Sequence, residues 1–470
     1  MTEEQDTALQ PSTAYLESTT KLIQARVASA RAQAEPVKAP SAQASQPASD
    51  SGAEAYEGQR EVWEDVAKRG EAHREAVAER IVMDLHAHPE TAFEEHRSMQ
   101  KLADLVEGHG HATLRGAYGL ETAFEAEWAS PGYDVQRHPT VAILAEYDAL
   151  PGLGHACGHN VIAAAGVEAY LIATEALART GIEGRVVLQG TPAEEGHSGK
   201  EYMIRQGSLD GVDAAIMIHG FGYDIGSHAW VGRRIINVTF RGVAAHASSQ
   251  PFMGRNALDA ATLAYQGIGL MRQQMPPSDR VHAILRGGQQ PSIIPDSAHM
   301  QVYVRSLGTR TLMDLSARID EILRGAALMA GVAVDIEWDE HPMTLPVRNN
   351  ETLVARWAQS QARRGRTVLP AGTVPDSLAA STDFGNVSHL VPGLHPMVKV
   401  SPAEVALHTE DFARWAATPA AVDAAVDSAI GLAQVAIDFL ADERFRRQVR
   451  AEFDAAGPVG IDELLMQEER

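Results

Sequence analysis

Apolar residues recur at helical spacing from about Gln59 onward, through Val77, Ile81, Val82 and Leu85, and predict a long helix there. From Thr140 the pattern changes to short apolar runs alternating with helical stretches. The run 141–145 is of the buried-strand kind and leads into Glu146, Tyr147 and Asp148. Residues 160–179, rich in Ala and Leu, predict a helix, while 186–189, 214–218 and 397–400 predict further strands. Strands alternating with helices predict a mostly parallel sheet with flanking helices, an α/β fold. Ligands on such sheets gather beyond the C-terminal strand ends.

Between about 232 and 345 the pattern takes a different form. Residues 234–240 alternate as a half-buried strand, 256–272 are helical, 281–286 and 298–305 are strands, 311–329 are helical and 332–338 form a last strand. The order β-α-β-β-α-β predicts a ferredoxin-like unit inserted into the larger domain. The predicted division is a flexible N-terminal segment over 1–55, catalytic parts over 56–231 and 346–441, the insert over 232–345, and a charged, loosely helical tail over 442–470. Within the first segment 12–33 has helical character. Residues 34–55, rich in Ala, Gln, Ser and Pro, read as linker.

Composition narrows the function. A chain of 470 residues is too long for one compact core. A net charge of −22 argues against binding nucleic acid through a basic surface. No uninterrupted apolar run reaches about 20 residues, so no membrane span is expected. The acidic start, Met1 to Asp6, lacks the basic-then-apolar order of a signal peptide. A single cysteine excludes an internal disulfide, and these features together predict a cytoplasmic protein.

That cysteine stands between histidines, in His155-Ala156-Cys157-Gly158-His159-Asn160. A lone thiol is ordinarily a small buried hydrophobe; among imidazoles it also reads as a metal ligand or a nucleophile. Glu194 and Glu195 could be a solvated pair, but Thr-Pro-Ala before them and Gly196 after them set them on a constrained turn. His219 could be a core histidine and Asp148 a plain loop residue, or one that orients a ligand. What changes the picture is position: Cys157, His159, Glu194, Glu195, His219 and His408 all follow predicted strands. Thiolate, imidazole and carboxylate together suit zinc, with manganese or cobalt where carboxylates dominate. Arg305 reads either as a surface strand residue or as a planar clamp for a substrate carboxylate.

The segment 146–160, Glu-Tyr-Asp-Ala-Leu-Pro-Gly-Leu-Gly-His-Ala-Cys-Gly-His-Asn, resembles the metal-site signature of the amidohydrolase branch of the M20 metallopeptidases. Supporting motifs are Leu85-His-Ala-His-Pro89-Glu90, Gly190-Thr-Pro-Ala-Glu-Glu-Gly196, Ile218-His-Gly220, Ala245-His246-Ala-Ser, Gly254-Arg-Asn256-Ala-Leu, Ile294-Pro-Asp296, Ser381-Thr-Asp383-Phe-Gly385-Asn and Leu407-His408-Thr. The resemblance covers about 75–440 and implies a zinc-exopeptidase-like domain carrying an inserted lid and dimerisation domain. It implies that Cys157, His159, Glu195, His219 and His408 hold one or two divalent ions, with Cys157 in place of the usual bridging Asp. Glu146 stands where relatives more often have His. The resemblance further implies Glu194 as general base, His246 as a donor to the oxyanion reaching the partner's site in a homodimer, and Asn256 and Arg305 at the substrate.

The expected activity is metal-dependent hydrolysis of the amide of an N-acyl, N-aroyl or aminoacyl amino acid, a small molecule carrying a carboxylate. The alternatives are a dipeptidase or carboxypeptidase acting on free-amine peptides, a thiol enzyme using Cys157 with His159, and an inactive binding protein of the same fold.

Overall fold

The computed structural model of the protein describes residues 12–33 and 59–468. Helix α1 (Ala14–Gln33) buries Ile23 and Val27 against Ile225, Trp230, Leu369 and Met397. This corrects the expectation of a flexible segment over 12–33, where Thr19, Ile23 and Val27, four residues apart, form one buried stripe; residues 1–11 of that segment lie outside the described residues. The linker expected at 34–55 lies outside the described residues.

Strands β1 (Thr113–Arg115), β2 (Phe124–Ala129), β3 (Thr140–Glu146), β4 (Arg185–Thr191) and β5 (Ala214–Ile216) are followed by β6 (His219–Phe221). Next come β7 (Gly232–Arg241), β8 (Arg280–Gly287), β9 (Ser297–Ser306) and β10 (Ala333–Trp338), then β11 (Gly393–Leu394) and β12 (Met397–Lys399). The larger sheet has the order β1-β2-β4-β3-β5-β11. Strands β4, β3, β5 and β11 run parallel, and β1 and β2 extend the sheet antiparallel. Every residue of β3 is buried, as the apolar run requires of a strand covered on both faces. Helix α2 (His159–Leu177) lies against β3 at Gly166, where a Cβ would stand 2.7 Å from the Leu144 carbonyl oxygen.

The strand expected over 214–218 is divided. The chain leaves the large sheet after Ile216 and pairs again as β6 with β12, in parallel, which carries His219 past the sheet edge.

The second sheet has the order β10-β7-β9-β8, antiparallel throughout. With α3 (Ala257–Met271) and α4 (Thr309–Ala330) it follows the β-α-β-β-α-β order. It has its own buried cluster, built on Ile236, Val238, Phe240, Ile268, Val302 and Leu323.

Helix α5 (Pro419–Ala441) packs against α2. Both are long and apolar enough to cross a membrane, yet 94% of each apolar window is buried inside the protein, as core helices are. The charged tail is likewise docked rather than loose: α6 (Glu443–Ala456) buries Phe445, Val449 and Phe453, again four apart. Helix α7 (Ile461–Glu468) sets Ile461 against Met343 and Leu345.

Candidate metal centre

The candidate ligands follow the C-terminal ends of strands β3, β4, β5 and β12 in the chain. Gly158, at φ +81°, ends the loop after β3 and starts α2, so Cys157 and His159 flank a left-handed residue and face one point. Glu194 and Glu195 follow β4 on a turn entered through Ala193 at φ 58°. His219 opens β6, and His408 sits at φ 60° on the loop after β12, its N–H donating to the Ala156 carbonyl.

Donor atoms of Cys157, His159 and His219 lie within 4.8 Å of one another, as do those of Cys157, Glu195 and His408, and those of His159, Glu194 and Glu195. Cys157 belongs to two of these groups, so it is placed to bridge two ions or to serve one. The Cys157 Sγ stands 3.4 Å from His219 Nε2, and His408 Nε2 stands 3.2 Å from Glu195 Oε1.

The surrounding hydrogen bonds turn the candidate ligating atoms toward one another. His159 Nδ1 donates to the carbonyl oxygen and to Oδ1 of Asp148, both at 2.9 Å, and Asp148 Oδ2 accepts the Glu195 N–H at 2.9 Å. Asp148 therefore orients one ligand by its ring and a second by its backbone. His219 Nδ1 donates to the Gly220 carbonyl at 2.8 Å, which turns the Nε2 lone pair inward. His159 Nε2 and Glu195 Oε1 are buried with no hydrogen-bond partner. Buried polar atoms are ordinarily paired, so these two ask for a partner of another kind, and a divalent cation fits this donor set.

The electrostatics agree. Burial, then Glu195, Glu146 and Asp383, push the Glu194 carboxyl well above the carboxylate range. Burial, with Glu195 behind it, also raises the Cys157 thiol, and burial lowers His219 to about 3. At His159 burial opposes the proton, but Asp148 and Cys157 outweigh it and raise the imidazole. Burial, with neighbouring carboxylates behind it, thus favours the protonated forms of Glu194 and Cys157.

A cleft of about 570 Å³ is lined by Cys157, Glu194, Glu195, His219 and His408, and also by Arg305 and Tyr303 of β9. The structure does not bring His246 or Asn256 into this cleft of their own chain. His246 is exposed, and its Nδ1 accepts the Ser248 and Ser249 N–H groups at 3.2 Å. Asn256 caps α3, accepting the Leu258 N–H at 2.9 Å and donating to Asp259.

Sequence reading missed Lys200. It is 1% exposed, and its ammonium joins Glu146 Oε1 at 2.5 Å to Asp383 Oδ1 at 2.6 Å. Glu146 Oε2, unpaired and buried, faces His159 Nε2 at 3.5 Å. It also missed Arg233 and Arg280, which line the cleft with Arg305. Both lie at the start of a strand, a position at which Arg is unremarkable.

The model of Peptidase family M20/M25/M40 matches residues 133–429. The chain is 38% identical over 372 residues to the Xaa-Arg dipeptidase of Mus musculus, covering 78% of this chain and 86% of that one. It is 33% identical over 280 residues to one of the two p-aminobenzoyl-glutamate hydrolase chains of Escherichia coli, covering 54% of this chain and 56% of that one. Among solved structures, a dinuclear metal binding peptidase of the M20 family from Bacillus subtilis shares the fold, with a TM-score of 0.60 and 20% identity over 79% of this chain and 99% of that one. Motif, fold and donor geometry converge: the chain belongs to peptidase family M20/M25/M40 and is a metal-dependent hydrolase.

Proposed function

We propose that the protein hydrolyses the amide between an acyl, aroyl or aminoacyl group and an amino acid. The observation that carries this is the pair of buried ligand atoms left without a hydrogen bond, His159 Nε2 and Glu195 Oε1, the second on a residue that lines the cleft. Cys157, His159, Glu195, His219 and His408 would hold one or two divalent ions, zinc or manganese, with cobalt also suited. When bound, such an ion supplies Lewis acidity, lowering the pKa of water from about 16 to about 7. Glu194, ionised once a cation sits beside it, would take a proton from the attacking water and return it to the leaving amine.

His246 donates to the oxyanion. With Nδ1 occupied as an acceptor, the neutral ring carries its proton on Nε2. It reaches the reaction from a second copy of the chain in a homodimer formed through the β7–β10 unit. That unit exposes Phe252, Met253, Leu270, Leu328 and Met329, an apolar content suited to burial. A reducing cytoplasm would keep Cys157 available as a thiolate ligand.

Metal analysis combined with a substrate panel tests the reading. N-acyl and N-aroyl amino acids should be cleaved, and a chelator should abolish cleavage. Turnover of free-amine dipeptides alone would replace the reading with a dipeptidase. Chelator-resistant turnover lost on alkylation would make Cys157 a nucleophile, and no turnover with metal bound would leave a binding protein.

A further inference from the structure

Three arginines stand in one cross-strand row of the second sheet. In the register of β7, β9 and β8, Arg233 is opposite Arg305 and Arg305 is opposite Arg280. Directly opposed residues project to the same face of a sheet, and here all three line the cleft above the candidate metal centre. The next position toward the same face along β9 and β8 holds Tyr303 opposite His282, and these line the cleft too. The Arg233 and Arg305 guanidinium carbons stand 5.9 and 5.0 Å from the centre of the Tyr303 ring, so Tyr303 is flanked by both cations.

Like charges directly opposed in a sheet are unfavourable, and this row sets them side by side twice. Nothing acidic from the protein relieves it. Among the described residues none of the three arginines has a carboxylate ion-pair partner, and the acidic residues lining the cleft are Glu194 and Glu195, at the metal end. The Arg233 Nε is buried and unpaired, and its Nη2 makes only long hydrogen bonds, 3.3 Å to the Gly196 carbonyl and 3.4 Å to Ser198 Oγ. Arg280 donates to the carbonyl oxygens of Pro277 and Asp279, which leave its charge uncompensated. Burial and the neighbouring Arg233 hold Arg305 below the ordinary guanidinium value, the mark of a cation facing cations. On a chain whose net charge is −22, such a row is a local inversion of sign.

One substrate carboxylate engages one guanidinium fork and leaves two more unanswered. We infer that the amino-acid half of the substrate is a dicarboxylate, an N-acylated acidic residue whose α-carboxylate and side-chain carboxylate are held together by the Arg233–Arg305–Arg280 row. This rests on the amidohydrolase reading above and narrows it. A basic side chain, which the name of the mouse relative would suggest, would place a fourth cation in the row.

The test compares N-benzoyl derivatives of glutamate, glutamine and arginine with the metal-loaded enzyme. The glutamate derivative should exceed the glutamine derivative in kcat/KM by about tenfold or more, the scale of one charge-assisted hydrogen bond, and chiefly through KM. The arginine derivative should fall below both. Arg280→Gln should narrow the ratio of glutamate to glutamine. Comparable values for glutamate and glutamine, or preference for arginine, would overturn the inference while leaving the amidohydrolase reading intact. If none of the three is cleaved, that reading fails. Calorimetric binding of free glutamate against glutamine then decides the row by itself: preference for glutamate that weakens in Arg280→Gln supports it, and equal or absent binding of the two overturns it.

Discussion

Replacing Lys200 with Met should remove the ammonium that bridges a buried pair of carboxylates while keeping most of the side-chain volume. The ammonium bridges Glu146 and Asp383 at 2.5 and 2.6 Å, and all three side chains are at most 1% exposed. Breaking a buried ion pair by removing one partner costs about 3–5 kcal/mol, because the remaining charge stays out of water unpaired. Two carboxylates remain here, so the upper half of that range is expected at pH 8 in the metal-free protein. Burial already raises Glu146 against the opposing pull of Lys200, and without Lys200 it should be raised further. A group whose folded pKa is raised contributes stability below its unfolded value, near 4, and loses it as pH rises through the folded value. The deficit of Lys200→Met should therefore be small at pH 4–5, grow with pH and level off on the alkaline side. Urea unfolding across that range measures it directly. The double variant Glu146→Gln/Lys200→Met should recover part of the loss, since one charge leaves with the other. A variant within about 1 kcal/mol of the parent at pH 8, or a deficit independent of pH, would refute this account.

Glu194→Gln should lower kcat by about 10²–10⁴ with metal content unchanged, whereas Glu195→Gln should lose metal; a fully active Glu194→Gln would dismiss the base. Because burial favours the protonated forms of Cys157 and Glu194 in the metal-free protein, binding zinc should release at least one proton near pH 7, with the raised His159 adding to the count. Calorimetry in two buffers of different ionisation enthalpy counts them, and zero would mean that neither group meets the metal. His246→Ala and Glu194→Ala should each be nearly inactive but should complement one another after verified subunit exchange, one complete site forming per mixed dimer. Activity no greater than the sum of the two would confine His246 to its own chain.

Strands β3, β4 and β5 were legible because each begins as a short apolar run of the kind a doubly covered strand needs, and β3 is buried at every position, whereas the two-residue β11 was not foreseen. The candidate metal donors, which the fold gathers at one point, stood out for a related reason: polar, metal-competent residues after such runs have few structural roles. Partnerships between distant segments were harder to see. Lys200 looks like an ordinary helix lysine until the fold brings Glu146 and Asp383 to it from 54 and 183 residues away. The arginine row is invisible in one dimension, since it exists only through the registers of β7, β9 and β8. Composition misled at both ends of the chain. The buried stripe of α1 and the Phe445–Val449–Phe453 stripe of α6 are three residues wide, too sparse to stand out against Ala-rich and charged surroundings.

Backbone strain gathers around the same centre. Ala193, Ser198 and His408 lie at φ 58°, 59° and 60°, a region that costs a side-chain-bearing residue about 1–2 kcal/mol. Two of them bracket the Glu194–Glu195 turn, and the third is itself a candidate ligand. Each is pinned by bonds that leave the chain little alternative. The Ala193 N–H donates to Glu95 Oε1 at 2.8 Å and its carbonyl accepts from Gly199. Ser198 Oγ donates to the Pro342 carbonyl at 2.7 Å, and the His408 N–H donates to Ala156 beside the cysteine loop. Gly199 has no room for a side chain, since a Cβ there would meet the Pro192 carbonyl oxygen at 1.9 Å. A turn this closely determined can hold an unfavourable conformation permanently. The consequence for function is that Glu194 and Glu195, adjacent in sequence and alike in chemistry, are fixed in different surroundings. Burial and neighbouring carboxylates raise Glu194, whereas His408 and His159 outweigh burial at Glu195 and keep it ionised. Candidate proton carrier and candidate metal ligand are thus set apart by backbone geometry.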